Sequence, residues 1–291
     1  MKRFLITLLI LTPFVLAALY VFLLNNRPGE SGTVPARQEQ ELRVGALNIN
    51  WLGFNGNASM TTETLVASAR ANDLDIILLQ EYKEHWDLDE KAFKAFFKKD
   101  YKHVSIEGEC ACISRYPITS HKRVKFDDFS DNFSDIKIKL PGGQVVEIFA
   151  VHLMTTGINN FAGANAPQAM AGMEATYTFF GNGDIRKNQA VSLANRIRNV
   201  ECPLIVAGDF NCVPASAPYR ELISASMKDS FFEAGHGKGA TYRGLGDFFR
   251  IDYIFYGSGL ECTDCRIVDD GISDHRMVMA SFVPGVEEEA E

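Results

Sequence analysis

The chain contains a series of short apolar runs, each of strand length and each ended abruptly by a polar side chain. The clearest is Leu204-Ile205-Val206-Ala207, bounded by Pro203 and Gly208 and followed at once by Asp209 and Asn211. An unbroken apolar run of this length is the pattern of a strand buried on both faces. Asp209 and Asn211 are two residues apart, so in an extended chain their side chains leave on the same side. The pattern recurs. Residues 42–49 run into Asn48 and Asn50, and residues 74–79 stop at Gln80-Glu81. Residues 145–151, paired by a Pro-Gly-Gly turn with residues 136–140, lead straight to His152. In the strand predicted over 248–256, Arg250, Asp252 and Ile254 share a face, and the final run, 277–283, follows Asp274-His275. A carboxylate at the end of an apolar strand is costly unless it meets solvent, a cation or a partner. Groups at one set of strand ends converge on one rim of a sheet protein, so these residues predict a single polar site.

Helical spacing is present over residues 62–72, 89–99, 185–200 and 217–225, which with the strands gives an α/β chain with substantial antiparallel pairing. Residues 155–183 are rich in Gly, Ala and Asn and lack periodicity. They predict a long loop or lid over the domain, carrying Phe161, Met170, Met173, Phe179 and Phe180.

Met1-Lys2-Arg3 precedes 21 uncharged residues, 4–24, about the length that crosses the hydrocarbon core. The run is long for a signal-peptide core and has a poor cleavage site at Leu16-Ala17-Ala18. It predicts an uncleaved single span with Lys2 and Arg3 in the cytoplasm and the rest outside, a cleaved signal being the alternative. Residues 25–41 read as a tether, 42–285 as the catalytic domain and 286–291 as an acidic tail. Four of the 29 basic and three of the 37 acidic side chains lie in residues 1–41, so the remainder carries a balance of −9. That excludes a broadly basic nucleic-acid-binding surface and suits a site that holds divalent cations. The six cysteines permit disulfides or buried free thiols. Cys110-Ala111-Cys112 is too tightly spaced for the usual zinc knuckle.

Together the strand ends offer carboxylates, carboxamides and two imidazoles. Hard oxygen ligands select magnesium, manganese or calcium over zinc, and histidines beside carboxylates supply acid–base capacity near neutral pH. This set fits metal-assisted phosphoryl chemistry.

The motifs Leu47-Asn48-Ile49-Asn50, Leu79-Gln80-Glu81, Ile113-Ser114-Arg115-Tyr116-Pro117, Val151-His152-Leu153, Gly208-Asp209-Phe210-Asn211, Arg250-Ile251-Asp252-Tyr253 and Ser273-Asp274-His275, in this order, resemble the endonuclease/exonuclease/phosphatase superfamily. The likeness is to its deoxyribonuclease-like and sphingomyelinase-like branches, in a membrane-anchored bacterial form. The resemblance implies a four-layer α/β/β/α sandwich of two packed, mainly antiparallel sheets, preceded here by the N-terminal transmembrane helix. It implies Glu81 as principal metal ligand, Asn48 on metal or phosphate, and Asp274 reaching a second metal. Asp209 would orient or deprotonate the attacking water, and Asn211 would steady the phosphate. Asp252 would pair with His275, and His152 would protonate the leaving oxygen, with Glu109 as a candidate partner. Asn50 stands where many relatives carry Asp, so its part in metal binding is open. The expected enzyme is a monomeric, magnesium-dependent phosphodiesterase of nuclease type (manganese or calcium being alternatives). Its substrate would be a nucleic acid, a phospholipid or a small phosphodiester. A lipid-head-group phosphodiesterase, a phosphatase and a non-catalytic binding module are the other readings, because the fold does not choose among them.

Overall fold

The computed structural model describes residues 25–29, 34–127, 132–155, 168–244 and 248–285, together with Leu19 and Leu23; of residues 168–182 it describes the backbone alone. In chain order the elements are β1 (Leu42–Asn48), α1 (Ala58–Ala71), β2 (Ile76–Gln80), α2 (Glu90–Phe97), β3 (His103–Glu107), β4 (Cys110–Ser114), β5 (Ile118–Lys125), β6 (Asn132–Lys139) and β7 (Val145–His152). They continue with α3 (Gln168–Ile197), β8 (Leu204–Asp209), α4 (Ala217–Ser224), β9 (Lys228–Asp229), α5 (Ser230–Ala234), β10 (Asp252–Tyr256), β11 (Leu260–Val268) and β12 (Met277–Pro284).

The strands form two six-stranded mixed sheets, ordered β11-β12-β1-β2-β4-β3 and β9-β10-β8-β7-β6-β5. Each has one parallel pair at its centre, β1 with β2 and β7 with β8, and antiparallel pairs outside it. The period-two alternation of a strand then sorts the core. Val44, Ala46, Ile76, Leu78, Ile148, Ala150, Ile205, Ala207, Ile254 and Val278 fill the space between the sheets. Their alternate neighbours face outward. Leu47, Ile77, Leu79 and Met279 pack under Leu65, Phe93 and Phe97 of α1 and α2. Phe149, Val151, Val206 and Phe255 pack under Leu193, Ala194 and Leu222 of α3 and α4. These layers are the expected α/β sandwich.

Asn57 accepts from Met60 N at 2.8 Å and caps α1, which starts four residues earlier than its apolar spacing suggests. Part of the expected lid is helix: α3 begins at Gln168, so 168–183 continue the helix predicted from 185. Gly, Ala and Asn mask a helix that tertiary packing at its C-terminal half holds together. Phe161 and the side chains of Met170, Met173, Phe179 and Phe180 lie outside the described residues. So does the apolar run 4–24, apart from Leu19 and Leu23; among the described residues no helix is long and apolar enough to cross a membrane. The strand predicted from 248 begins only at Asp252, because Arg250 leaves that face to bind Asp229 at 2.7 Å, both groups buried.

The expected tether is docked rather than slack. Asn26–Arg27 pairs antiparallel with Gly237–Lys238, and Arg37 bonds Asp73 at 2.8 Å and also reaches Asp75. Polar and charged pairing holds this segment, which is why apolar periodicity did not reveal it. All six cysteines are free thiols. Burial pushes Cys110 and Cys212 up to about 11, away from nucleophilic use.

Candidate active site

The inner-facing positions of the central strands end in one polar layer that caps the inter-sheet core. Asn48 pairs in register with Gln80, His152 with Asp209, and Asp209 with Asp252. The four central strands, a parallel pair in each sheet, run out at this rim and their antiparallel neighbours start from it, so the first residues of β10 and the approach to β12 arrive at the same place. Alternation would send residue 81 outward beside Leu79. A left-handed backbone at Glu81, φ 53°, turns it back; Asn50 (φ 47°) and Asn211 (φ 48°), which already share the inward parity of Asn48 and Asp209, adopt the same conformation after β1 and β8. Such conformations cost roughly 1–2 kcal/mol per residue away from glycine and cluster where function over-determines the backbone. Gly208, at φ 136°, must be glycine: a Cβ would lie 2.0 Å from Val151 O on the neighbouring strand.

Asn48 joins the two sheets. Its Nδ2 donates to Glu81 Oε1 and to Asp209 Oδ2, each at 3.1 Å, and its Oδ1 accepts from Asn50 N at 3.0 Å. Asn48 is thus oriented as a donor to the carboxylates rather than with a free oxygen toward a cation. Asp209 Oδ1 accepts from Asn211 N at 2.8 Å, while Asn211 Nδ2 donates to Leu153 O. The other oxygen, Asp209 Oδ2, stands between two imidazoles, 3.7 Å from His152 Nε2 and 3.8 Å from His275 Nε2. Behind His275, Nδ1 meets the buried Asp252 at 2.9 and 3.1 Å. Burial pulls the His275 imidazole down, but Asp252, Asp209 and Asp274 outweigh it and push it up to about 10. The imidazolium is therefore the resting form at neutral pH.

Asp274 Oδ1 accepts from Asn50 Nδ2 at 2.9 Å, which brings Asn50 onto the acid predicted for a second metal. His152 Nε2 faces Glu81 Oε1 at 3.6 Å and Asp209; Glu109 lines the same cleft, its carbonyl accepting from Tyr82 N. The cleft holds about 1590 Å³, with the predicted residues Asn48, Asn50, Glu81, Glu109, His152, Asp209, Asn211, Asp274 and His275 on its wall and Asp252 behind it.

Several contributors were given no role by the sequence. Thr241 Oγ1 accepts from the N–H groups of Ile251 and Asp252, and the Tyr242 ring lies 5.1 Å from that of His275. Ser273 Oγ donates to Asn48 O at 2.6 Å and accepts from His275 N, tying two motifs together. Gln189 and Arg186 fix Met154, just past His152. Gln80 caps the core with both amide atoms lacking a hydrogen-bond partner among the described residues.

The donor set fits a hard divalent cation. Glu81 and Asp274 are cleft-facing oxygen donors beside neutral carboxamides. The oxygens and imidazole nitrogens of Asp209, Asp252 and His275 approach within 4.8 Å of one another, but Asp252 is already engaged by His275 Nδ1, and Asp209 stands 3.8 Å from His275 Nε2 as its charge partner.

The model of the Endonuclease/Exonuclease/phosphatase family matches residues 45–275. No curated protein matches the chain by sequence. Among solved structures, the endonuclease/exonuclease/phosphatase from Beutenbergia cavernae is similar at TM-score 0.65 and 18% identity, over 87% of this chain and 74% of that one. Humanized D. rerio TDP2 is similar at TM-score 0.61 and 16% identity, over 84% and 100%. The beta toxin of Staphylococcus aureus is similar at TM-score 0.57 and 15% identity, over 82% and 99%. At such identities these likenesses establish the fold alone.

Proposed function

Because the chain belongs to the endonuclease/exonuclease/phosphatase family, whose members are phosphoester hydrolases, we propose that it is a divalent-metal-dependent phosphodiesterase of nuclease type. The carrying observation is the placement of Asp209 Oδ2 between the two imidazole nitrogens. An in-line displacement needs a proton acceptor for the attacking water, positive charge beside the phosphoryl oxygens and a proton for the leaving oxygen. Asp209 takes the water proton as the new O–P bond forms. His275, held as imidazolium by Asp252, faces the charge that develops on the phosphoryl group. As the opposite P–O bond breaks, His152 gives a proton to the leaving oxygen. Asn211, fixed by Leu153 O, steadies the phosphate. Glu81 and Asp274 would hold the cation, magnesium in this reading, which supplies a Lewis acid for phosphoryl oxygens. Two imidazoles suit an alkyl ester, whose alkoxide leaving group needs a proton more than that of an activated ester.

The test is turnover of DNA, RNA, phospholipid vesicles, a small diester and a phosphomonoester, with magnesium and with chelator. The proposal expects diester hydrolysis that depends on metal and falls about 10²–10⁴-fold in Asp209→Ala and in His275→Ala. Unchanged activity in both variants overturns it.

The uncharged run 4–24, flanked by Lys2 and Arg3, supports an anchored enzyme with its domain outside the cytoplasm. With the domain on the periplasmic side, protease added to spheroplasts should digest it; a domain protected until the inner membrane is lysed refutes that placement.

A further inference from the structure

We infer that residues 25–29 hold the domain directly against the end of the apolar N-terminal run. One edge of the cleft then rests on the bilayer, and the enzyme takes phosphodiesters from the headgroup layer of its own membrane. This rests on the phosphodiesterase and anchor readings above.

A free 17-residue tether over 25–41 would let the domain wander about 23 Å from the exit of the span. The described chain removes that slack at its first residues. Asn25 is only 3% exposed. Its Nδ2 donates to Phe248 O at 2.9 Å, and its carbonyl accepts from Gly239 N at 2.8 Å. Asn26 and Arg27 then pair with Lys238 and Gly237. The Arg27 guanidinium lies 4.1 Å over the Phe232 ring, and its Nε donates to Phe232 O at 3.2 Å. Gly239 is part of the fit, since a Cβ there would lie 2.3 Å from Asn25 O.

From this junction the path to the chemistry is short. Phe249, next to the held Phe248, lines the cleft. Its carbonyl accepts from Thr241 N at 2.9 Å and Tyr242 N at 3.1 Å, and the Tyr242 ring lies against His275. The surface at the junction has an interfacial composition. Phe248 is 68% exposed and Phe232 49%, with the Arg27 guanidinium over the Phe232 ring and Lys238 on the strand that pairs with Asn26. Aromatic rings with basic side chains are what settles at a membrane–water boundary. The occupant that fits both the exposed rings and the 21-residue apolar run ending at residue 24 is the bilayer.

The experiment uses the full chain in vesicles of phosphatidylcholine, phosphatidylglycerol and sphingomyelin, against a variant with twenty Gly/Ser residues inserted between Leu24 and Asn25. The insertion leaves the docked segment and the cleft intact. Hydrolysis of a soluble small diester should be the same in both, while release of lipid headgroups should fall about tenfold with the insertion. Equal headgroup release in the two proteins overturns the inference, as does wild-type protein that cleaves the soluble diester but no lipid. If neither substrate is cleaved, the phosphodiesterase reading has failed, and the position of the edge is read separately. In a Trp51→Phe, Trp86→Phe background, Phe248→Trp should be quenched by brominated lipid and lose that quenching on insertion. Absence of quenching without the insertion overturns the contact.

Discussion

Replacing Asp252 by Asn tests whether the acids around His275 fix its charge. Asp252 is buried, faces Nδ1 at 2.9 Å and is the foremost of three carboxylates that push His275 up to about 10. The rise from the ordinary 6.5 represents on the order of 5 kcal/mol of preference for the imidazolium in the folded protein. The sign follows from linkage. A raised folded-state value contributes stability fully present below pH ~6.5 and lost as pH climbs through about 10. Within that window the wild-type protein should lose stability at about 1.4 kcal/mol per pH unit from this group. Asn keeps the shape but removes the charge, so burial regains control and His275 falls toward ordinary values or below. If it falls to about 6, only ~1 molecule in 100 carries the imidazolium at pH 8. Urea unfolding between pH 7 and 9, in chelator so that no cation competes, gives the slope for both proteins. The variant should lack the downward slope, and its diesterase rate should acquire a basic limb below pH 8. Parallel slopes in the two proteins, or an unchanged pH–rate profile, refute the reasoning.

Three further outcomes are expected. His152→Ala should slow hydrolysis of alkyl diesters at least about 100-fold more than that of p-nitrophenyl diesters, because only the former need their leaving oxygen protonated; equal losses speak against His152 as the acid. Gly208→Ala should cost more than about 3 kcal/mol, since it joins a φ of 136° to a Cβ 2.0 Å from Val151 O; a melting temperature within ~2 °C of wild type contradicts this. Gln80→Met should raise stability by about 1 kcal/mol by removing an amide with no described partner; a lower unfolding midpoint shows that the amide is satisfied by something the protein keeps.

The sandwich was legible because apolar runs and alternation are written in the same residues that form the three cores. Leu204–Asp209 reads as a buried strand because both of its faces are covered, Ala207 by the other sheet and Val206 by helix. Strand β5 was harder to read. Ile-Thr-Ser-His-Lys-Arg-Val-Lys sits at an edge, mostly in contact with solvent, so its sequence carries little of the core's signature. Residues 168–182 resembled a loop because propensity is a weak prior beside the packing of the helix they extend. At the site, the residue types at the strand ends were visible, but their distances were not. The pairing of Asp252 with His275 came from the resemblance, and nothing in the sequence marked Thr241 or Tyr242. Their contributions depend on a bridge between Tyr242 and both Phe249 and His275 that only folding creates.

The even spacing that puts Asn48, Gln80, His152 and Asp209 in one layer also limits how such a chain can change over time. A single residue gained or lost inside β1, β2, β7 or β8 exchanges the two sides of that strand. It drives the cap under a helix and places an aliphatic group where the carboxylate stood. Length changes that reshape the site are therefore confined to the segments beyond the rim that leave Asn50, Glu81, Asn211 and Met154. New substrate preferences should arise by lengthening or trimming those segments, while the strand lengths beneath them stay constant.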